Sequence, residues 1–225
     1  MTDHGLDLAV IGNGRTAALV DPSARIVWWC FPRFDGDPVF CRLLAGEEEK
    51  GFADVVLDGC VEIKSEYGRN TPIVTAVMRD AQGAAVRVTD FAPRFYQFGR
   101  TFRPPQIIRI VEPIAGLPRV TIRIRPTHHY GQPTQHAMGS NHIRYSGGST
   151  ALRVTTDAPL SYVDREAAFV LTHPLHMILG PDTPIDGDLA TVIAAGREGL
   201  ERLTDRKSTR LNSSHTEQSR MPSSA

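Results

Sequence analysis

The sequence predicts an all-β fold: a large two-sheet antiparallel β-sandwich with one C-terminal connector helix. Three observations carry this reading. Val120-Thr121-Ile122-Arg123-Ile124-Arg125 alternates apolar and polar side chains with period two, so one face is buried and the other wet. Many short apolar runs are punctuated by Gly and Pro, the pattern of a sandwich or barrel, of which we take the sandwich. Only one stretch has helical period: Leu189, Val192, Ile193, Gly196, Leu200 and Leu203 share a face, and Asp188 precedes them as a fair N-cap.

The elements follow in order. Leu6 to Ile11 reads as a strand ended by the turn Gly12-Asn13-Gly14. Thr16–Val20 and Ile26–Phe31 flank Asp21-Pro22-Ser23-Ala24, whose proline fixes φ for a hairpin turn. Asp37 to Leu44 is compatible with a short helical turn, and Glu47-Glu48-Glu49-Lys50 reads as a solvated connection. From Phe52 the texture is β. Val61, Ile63 and Ser65 alternate with Glu62, Lys64 and Glu66, and Asp80-Ala81-Gln82-Gly83 joins Ile73–Met78 to Ala85–Phe91. Further strands are expected at Ile107–Val111, His142–Tyr145, Ala151–Thr155, Ala167–Leu171 and His176–Leu179, and no repeat of fixed period is present.

The expected organisation is a sandwich over residues 1–187, the start of a linker helix over 188–204, and a disordered tail over 205–225. The tail, Asp205 to Ala225, is Ser-rich and without hydrophobic period. Its DRKSTRLNSSH and SRMPSSA segments resemble translated frames of a short-read sequencing adapter, so it is set aside from the fold, and the natural protein is expected to continue beyond Thr204.

Among the 225 residues, 25 are basic and 25 acidic, which gives no electrostatic footprint for nucleic acid or an anionic membrane. No apolar run approaches a membrane span. Three cysteines, Cys30, Cys41 and Cys60, have no metal-ligand spacing, and without a secretory signal they are expected as reduced thiols in the cytoplasm. His128, His129, His136, His142, His173 and His176 lack the spacing of a zinc site, so they are read as turn and surface residues; no metal and no cofactor is expected. Gly12-Asn13-Gly14-Arg15-Thr16-Ala17 fits a dinucleotide fingerprint loosely, but Asp21-Pro22 follows too soon for a crossover helix, so a nucleotide-dependent oxidoreductase is the least favoured alternative.

Trp28-Trp29-Cys30-Phe31-Pro32-Arg33-Phe34-Asp35 is the most distinctive run. Adjacent tryptophans on a strand face opposite ways. Aromatic rings beside Arg and carboxylates suit a sugar, whose C–H face stacks on a ring while its hydroxyls take charge-assisted hydrogen bonds. The substrate-binding set expected here is Trp29, Arg33, Phe34 and Asp35. The blander reading is a packed loop with an Arg33–Asp35 ion pair.

The segment holding Gly12 to Ala17, Trp28 or Trp29, Cys30, Pro32 to Asp35 and Phe40 resembles the N-terminal part of family-15 glycoside hydrolases, the glucoamylase and trehalase-like enzymes, and above all their trehalase-like N-terminal domain. Weaker similarity runs through Val88-Thr89-Asp90-Phe91, His173-Pro174-Leu175 and the final helix. The resemblance implies a β-sandwich, a linker and a C-terminal (α/α)6 barrel. In that family two barrel glutamates, set roughly 6.5–9.5 Å apart, hydrolyse α-glucosidic bonds with inversion. A single helix cannot supply such a barrel. The expectation is therefore a non-catalytic domain with no catalytic residue of its own, whose parent acts on trehalose or an α-glucan and whose partners are that carbohydrate and the missing barrel. A stand-alone carbohydrate-binding or scaffold domain is the alternative.

Overall fold

Every strand pairing is antiparallel, and the strands form two large sheets. The computed structural model describes residues 7–148 and 150–202 of the chain; the adapter-like tail and the end of the expected linker lie outside them. In chain order the strands are β1 (Ala9–Gly12), β2 (Ala17–Val20), β3 (Ile26–Cys30), β4 (Pro38–Cys41), β5 (Phe52–Leu57), β6 (Cys60–Tyr67), β7 (Val74–Asp80), β8 (Ala85–Phe91), β9 (Phe95–Gln97), β10 (Arg100–Phe102), β11 (Ile107–Ala115), β12 (Arg119–Arg125), β13 (Thr127–His128), β14 (Gln132–Pro133), β15 (Gln135–Met138), β16 (His142–Ser146), β17 (Leu152–Thr156), β18 (Phe169–Val170) and β19 (Leu175–Pro181). A one-turn helix, α1, spans Leu160–Asp164, and a longer one, α2, covers residues 189–202.

One sheet has seven strands, ordered β1-β2-β3-β5-β12-β18 with β4 also on β3. The other has eight, ordered β15-β16-β17-β19-β11-β8-β7-β6. Their inner faces meet in one core: Ile26, Trp29, Val55 and Ile122 from the first sheet pack with Val88, Val111, Val154 and Met177 from the second. Burial along β12 follows the expected alternation, with Val120, Ile122 and Ile124 inside. The opposite face of β12 is a mixed layer. Guanidinium groups of Arg25, Arg123 and Arg125 lie 4.4, 5.1 and 5.4 Å from the centre of the Phe52 ring, which is fully covered. Arg25 and Arg123 both bond the buried Asp54, at 2.9 and 2.6 Å.

Helix α2 forms a partial third layer. Asp188 caps it: its carboxylate accepts from the Thr191 amide at 2.9 Å and from the Thr191 hydroxyl at 2.7 Å. Leu189, Val192, Ile193 and Leu200 cover Ile73, Phe91, Ile108, Ile110 and Ile178 on the outer face of the eight-stranded sheet. This explains the unbroken apolar run at the start of β11, whose alternate residues face the sandwich core and the helix. Close approach needs the two helical glycines. A Cβ on Gly196 would come within 2.8 Å of Pro93 Cβ, and one on Gly199 within 2.1 Å of the Arg94 carbonyl.

At the centre of the sandwich sits a buried ion pair. Arg109 on β11 bonds its register partner Asp90 on β8 through Nε at 2.7 Å and Nη2 at 2.8 Å. The same guanidinium crosses to the other sheet, donating to the Ala53 carbonyl at 3.1 Å and the Ala24 carbonyl at 2.7 Å. Burial alone would push the guanidinium pKa down; the charge and hydrogen bonds of Asp90 more than offset this and hold it up.

Several local expectations change. The segment expected as a helical turn over Asp37–Leu44 is strand β4 followed by a 3-10 turn at Arg42–Leu44, because Pro38, Phe40 and Cys41 bury their side chains against β3 and its neighbours. Glu49 is more than a solvated linker residue: Arg25, Arg42 and Arg123 approach its carboxylate at 3.9, 3.6 and 3.7 Å. Val61 and Ile63 are exposed because β6 is a sheet edge.

Two outcomes follow. Asp90→Ala leaves a buried guanidinium unpaired and is expected to cost about 3–5 kcal/mol in urea unfolding, whereas the Asp90→Leu/Arg109→Met pair costs less than either single change. Gly199→Leu is expected to lower stability by about 1–3 kcal/mol and to raise amide exchange throughout α2, measured by hydrogen–deuterium exchange.

Candidate functional site

The Trp28–Asp37 run sits at the end of β3, where strand alternation decides which ring goes inside. Trp29 is fully buried and Trp28 half-buried. Trp29 packs between Phe31, with ring centres 5.0 Å apart, and Phe40, at 6.0 Å. Its indole N–H donates to the Thr16 hydroxyl at 2.8 Å, so the one polar atom of the ring is satisfied.

The loop above this aromatic base closes on itself. The Phe31 amide donates to the Asp37 carbonyl at 3.2 Å, the Gly36 amide donates to the Arg33 carbonyl at 3.0 Å, and the Phe31–Pro32 peptide is cis. A side chain at position 36 would press on both the Phe31 and Arg33 carbonyls, at 3.0 and 3.1 Å. Arg33, Phe34 and Asp35 are thereby carried on the exposed tip. Arg33 and Asp35 form a bidentate pair: Nε to Oδ1 at 2.8 Å and Nη2 to Oδ2 at 3.0 Å. The hydrogen bonds from Arg33, assisted by its charge, hold the Asp35 carboxyl below its usual range, and the same pairing raises the Arg33 guanidinium. The structure thus brings Arg33, Phe34 and Asp35 together in the open. Trp29 lies beneath them with no exposed surface, so its contribution is support from below.

Beside the loop is a second turn that the sequence does not mark. The Asp37 carboxylate accepts from the amides of His129 and Tyr130, the latter at 3.3 Å, and steadies two successive left-handed residues with φ of 44° and 58°. The His128 side chain lies against Gly147 and Gly148; a Cβ on Gly147 would fall 2.3 Å from its ring. Phe31, Asp37, His128, Thr134, Tyr145 and Ser146 help line a cavity of about 20 Å³. That volume suits one water and not a sugar ring. Nδ1 of His128 is buried there without a protein partner. The glycine pair and the adjacent histidine are visible in the sequence, but nothing in their spacing says that they touch.

Two other histidines are occupied locally. His136 meets Asp164 at 2.9 Å and His176 meets Asp157 at 2.7 Å. Among the described residues no three His, Cys, Asp or Glu side chains converge as a metal site would require. Burial pushes the Cys30 thiol up, against a hydrogen bond with Trp28, and the nearby Asp37 charge adds to the rise, so little thiolate forms at neutral pH. Cys41 is buried, with its sulfur 3.2 Å from the Thr127 hydroxyl.

Gly12-Asn13-Gly14 is a tight turn between antiparallel strands, with Gly12 opposite Ala17 and Gly14 at φ 85°. No helix follows it, which removes the dinucleotide-binding alternative. The turn has a different purpose. Asn13 is fully buried and uses both ends of its amide: Nδ2 donates to the carbonyls of Pro93 at 2.9 Å and Pro104 at 2.8 Å, while Oδ1 accepts from the amides of Arg15 and Thr16.

Comparison with known proteins places the chain in a family. The family model described as "Trehalase-like, N-terminal" matches residues 6–159. A trehalase of Thermoplasma volcanium is 32% identical over 123 residues, which is 54% of this chain and 19% of that protein. No solved structure matches. The chain therefore spans a minor part of that curated relative's length. With the family model covering more than half of the chain, including the buried Asn13 turn and the Trp29-anchored loop, the chain belongs to the trehalase-like N-terminal domain family.

Proposed function

We propose that this sandwich is the non-catalytic N-terminal domain of an inverting, family-15-type α-glucoside hydrolase acting on trehalose or an α-glucan. In this reading the Arg33-Phe34-Asp35 tip helps shape a sugar pocket whose catalytic glutamates belong to an (α/α)6 barrel. The observation that carries it is the pairing of a planar bidentate Arg33–Asp35 unit with an exposed Phe34 on a loop held by buried aromatics. An apolar ring beside fixed donors and acceptors is the chemistry that a pyranose presents to a protein. Asp35 is suited to accepting hydroxyl hydrogen bonds and unsuited to general-acid work, which needs a raised pKa, because Arg33 keeps it ionised.

Other features support the same reading. The match to a trehalase over a small share of that protein's length fits a supporting module of a larger enzyme. Helix α2 begins the linker over 188–204. Three unpaired thiols suit a reducing cytoplasm, and among the described residues no helix is long and apolar enough to cross a membrane.

In a full-length relative carrying this loop, Arg33→Ala and Asp35→Ala are each expected to lower kcat/KM for trehalose or maltose about tenfold while leaving the thermal midpoint unchanged. Unchanged kinetics at unchanged stability would discard the role of the tip. Incubation of the present chain with trehalose and maltose is expected to release no glucose. Release of glucose would overturn the non-catalytic reading, and tight saturable binding of either sugar would favour a free-standing carbohydrate-binding module.

A further inference from the structure

Residues 93–104 leave the eight-stranded sheet as a protruding arm. The hairpin β9–β10 forms its body, and Phe98, at φ 50° and fully exposed, forms its tip. The two Asn13 bonds, to Pro93 and Pro104, fasten both roots of the arm to the Gly12–Thr16 turn. The residue just inside each root is an arginine, Arg94 on one side and Arg103 on the other. Fastening the roots therefore forces two cations toward each other, with the Gly14 turn between them. A Cβ on Gly14 would lie 3.2 Å from Nη1 of Arg103 and 3.5 Å from Nη2 of Arg94. The glycine keeps open the space that both guanidinium groups border.

Nothing among the described residues neutralises this pair. Among the described residues no carboxylate forms an ion pair with Arg94, Arg103 or the neighbouring exposed Arg15. Exposed Arg69, Arg100 and Arg165 are likewise without an ion pair among the described residues, but the other arginines that are partly or fully buried behave differently. Arg25, Arg109, Arg123 and Arg125 all find carboxylates. Arg94 carries a second mark: its Nε is buried with no hydrogen-bond acceptor. A buried donor without an acceptor costs about 1–3 kcal/mol, which an acceptor reaching it would recover. Burial, and then the charge of Arg103, lower the Arg94 pKa. The attraction of an arriving negative charge opposes both effects.

We propose that Arg94 and Arg103, set across the Gly14 turn, form an oxyanion-binding site for a phosphate or a carboxylate. Two guanidinium groups bordering one gap can offer charge-assisted bonds to the planar or tetrahedral oxygens of such a group from two sides, where a lone surface cation offers them from one. The site rests on the arm and its Asn13 anchor. It is independent of the sugar-pocket reading of the Arg33 loop, and either can fail without the other.

The test is titration of the full chain with inorganic phosphate and, separately, with sodium acetate. Ionic strength is fixed with sodium chloride so that general screening does not vary. Binding is followed by calorimetry and by the Arg94 Nε–H resonance in a 15N spectrum. Saturable one-to-one binding with a shift of that resonance is expected. Arg103→Gln is expected to weaken it roughly tenfold or more, the loss expected for one charge-assisted contact. Arg119→Gln, whose guanidinium pairs with Asp58 on another part of the surface, leaves it unchanged. Arg103→Glu supplies its own carboxylate, so it is expected to raise the thermal midpoint in oxyanion-free buffer and to abolish the response. Phosphate binding at least tenfold tighter than acetate identifies a phosphate site. Comparable affinities identify a carboxylate site. Absence of saturable binding by either anion, binding unaffected by Arg103→Gln, or a lower midpoint in Arg103→Glu would each overturn the proposal.

Discussion

The fold is organised around a charge placed where charges are costly. Arg109 lies between the sheets, paired to Asp90 on its own sheet and bonded to the Ala24 and Ala53 carbonyls on the other. Such a pair need not outdo a hydrophobic pair of the same volume in stability. What it adds is direction. Apolar faces can slide over one another with small loss, but a guanidinium fork aimed at two particular carbonyls cannot. Those carbonyls lie in the turn just before β3 and on its partner β5, where Ile26 stands opposite Ala53. The turn that leads into β3 is wound to suit. Asp21 accepts from the amides of Ser23 and Arg25, and Ala24 takes a left-handed φ of 60°. Fixing the start of β3 fixes its far end, where Trp29 and the exposed loop begin.

A second constraint works from the opposite side of that strand. The Gly12–Thr16 turn supplies Thr16 to the Trp29 indole and Asn13 to the roots of the β9–β10 arm. One short turn therefore positions both protruding features of the molecule. This accounts for the residue types without any nucleotide. Glycine at 14 meets a positive φ, and the Asn13 amide has the two donors and one acceptor that the site uses. The Thr16 hydroxyl caps a buried indole, which a purely apolar residue would leave unsatisfied.

The sequence made the architecture legible wherever period or turn chemistry was strong. β8 over Ala85–Phe91, the alternation of β12 and the Asp188 cap of α2 were all readable locally. The short pieces were not. α1 is one turn, too short to show a period, and β15 over Gln135–Met138 is exposed along its whole length, so it has no apolar stripe. The candidate loop was half legible. Arg33 and Asp35 are two residues apart and could be paired on paper, and alternation required the tryptophans to diverge. Which tryptophan turned inward depended on Thr16 and Phe40, which pattern alone does not bring together. Asp37 meeting the His129 and Tyr130 amides, and Arg109 reaching Ala24 and Ala53, are contacts between distant parts of the chain that leave no local trace.

The distribution of polar groups bears on what the exposed tip can do. In the interior they are consumed: Asp54, Asp90, Arg109 and Asn13 all spend their hydrogen-bonding capacity on the fold. At the tip, Arg33 and Asp35 spend theirs on each other and remain solvated. A pair of this kind has little to lose on meeting a ligand, because both side chains are already held in one geometry and the backbone beneath them is closed by the Gly36 and Phe31 amides. Its aromatic foundation is packed and its one indole donor is satisfied, so the tip does not depend on a ligand for its shape. Preorganised polar groups on a rigid base are what a positioning surface needs, and a reacting group would need the opposite, a carboxyl whose proton is easily gained. Under the proposed function, the geometry of Arg33 and Asp35 suits holding a sugar better than transforming it.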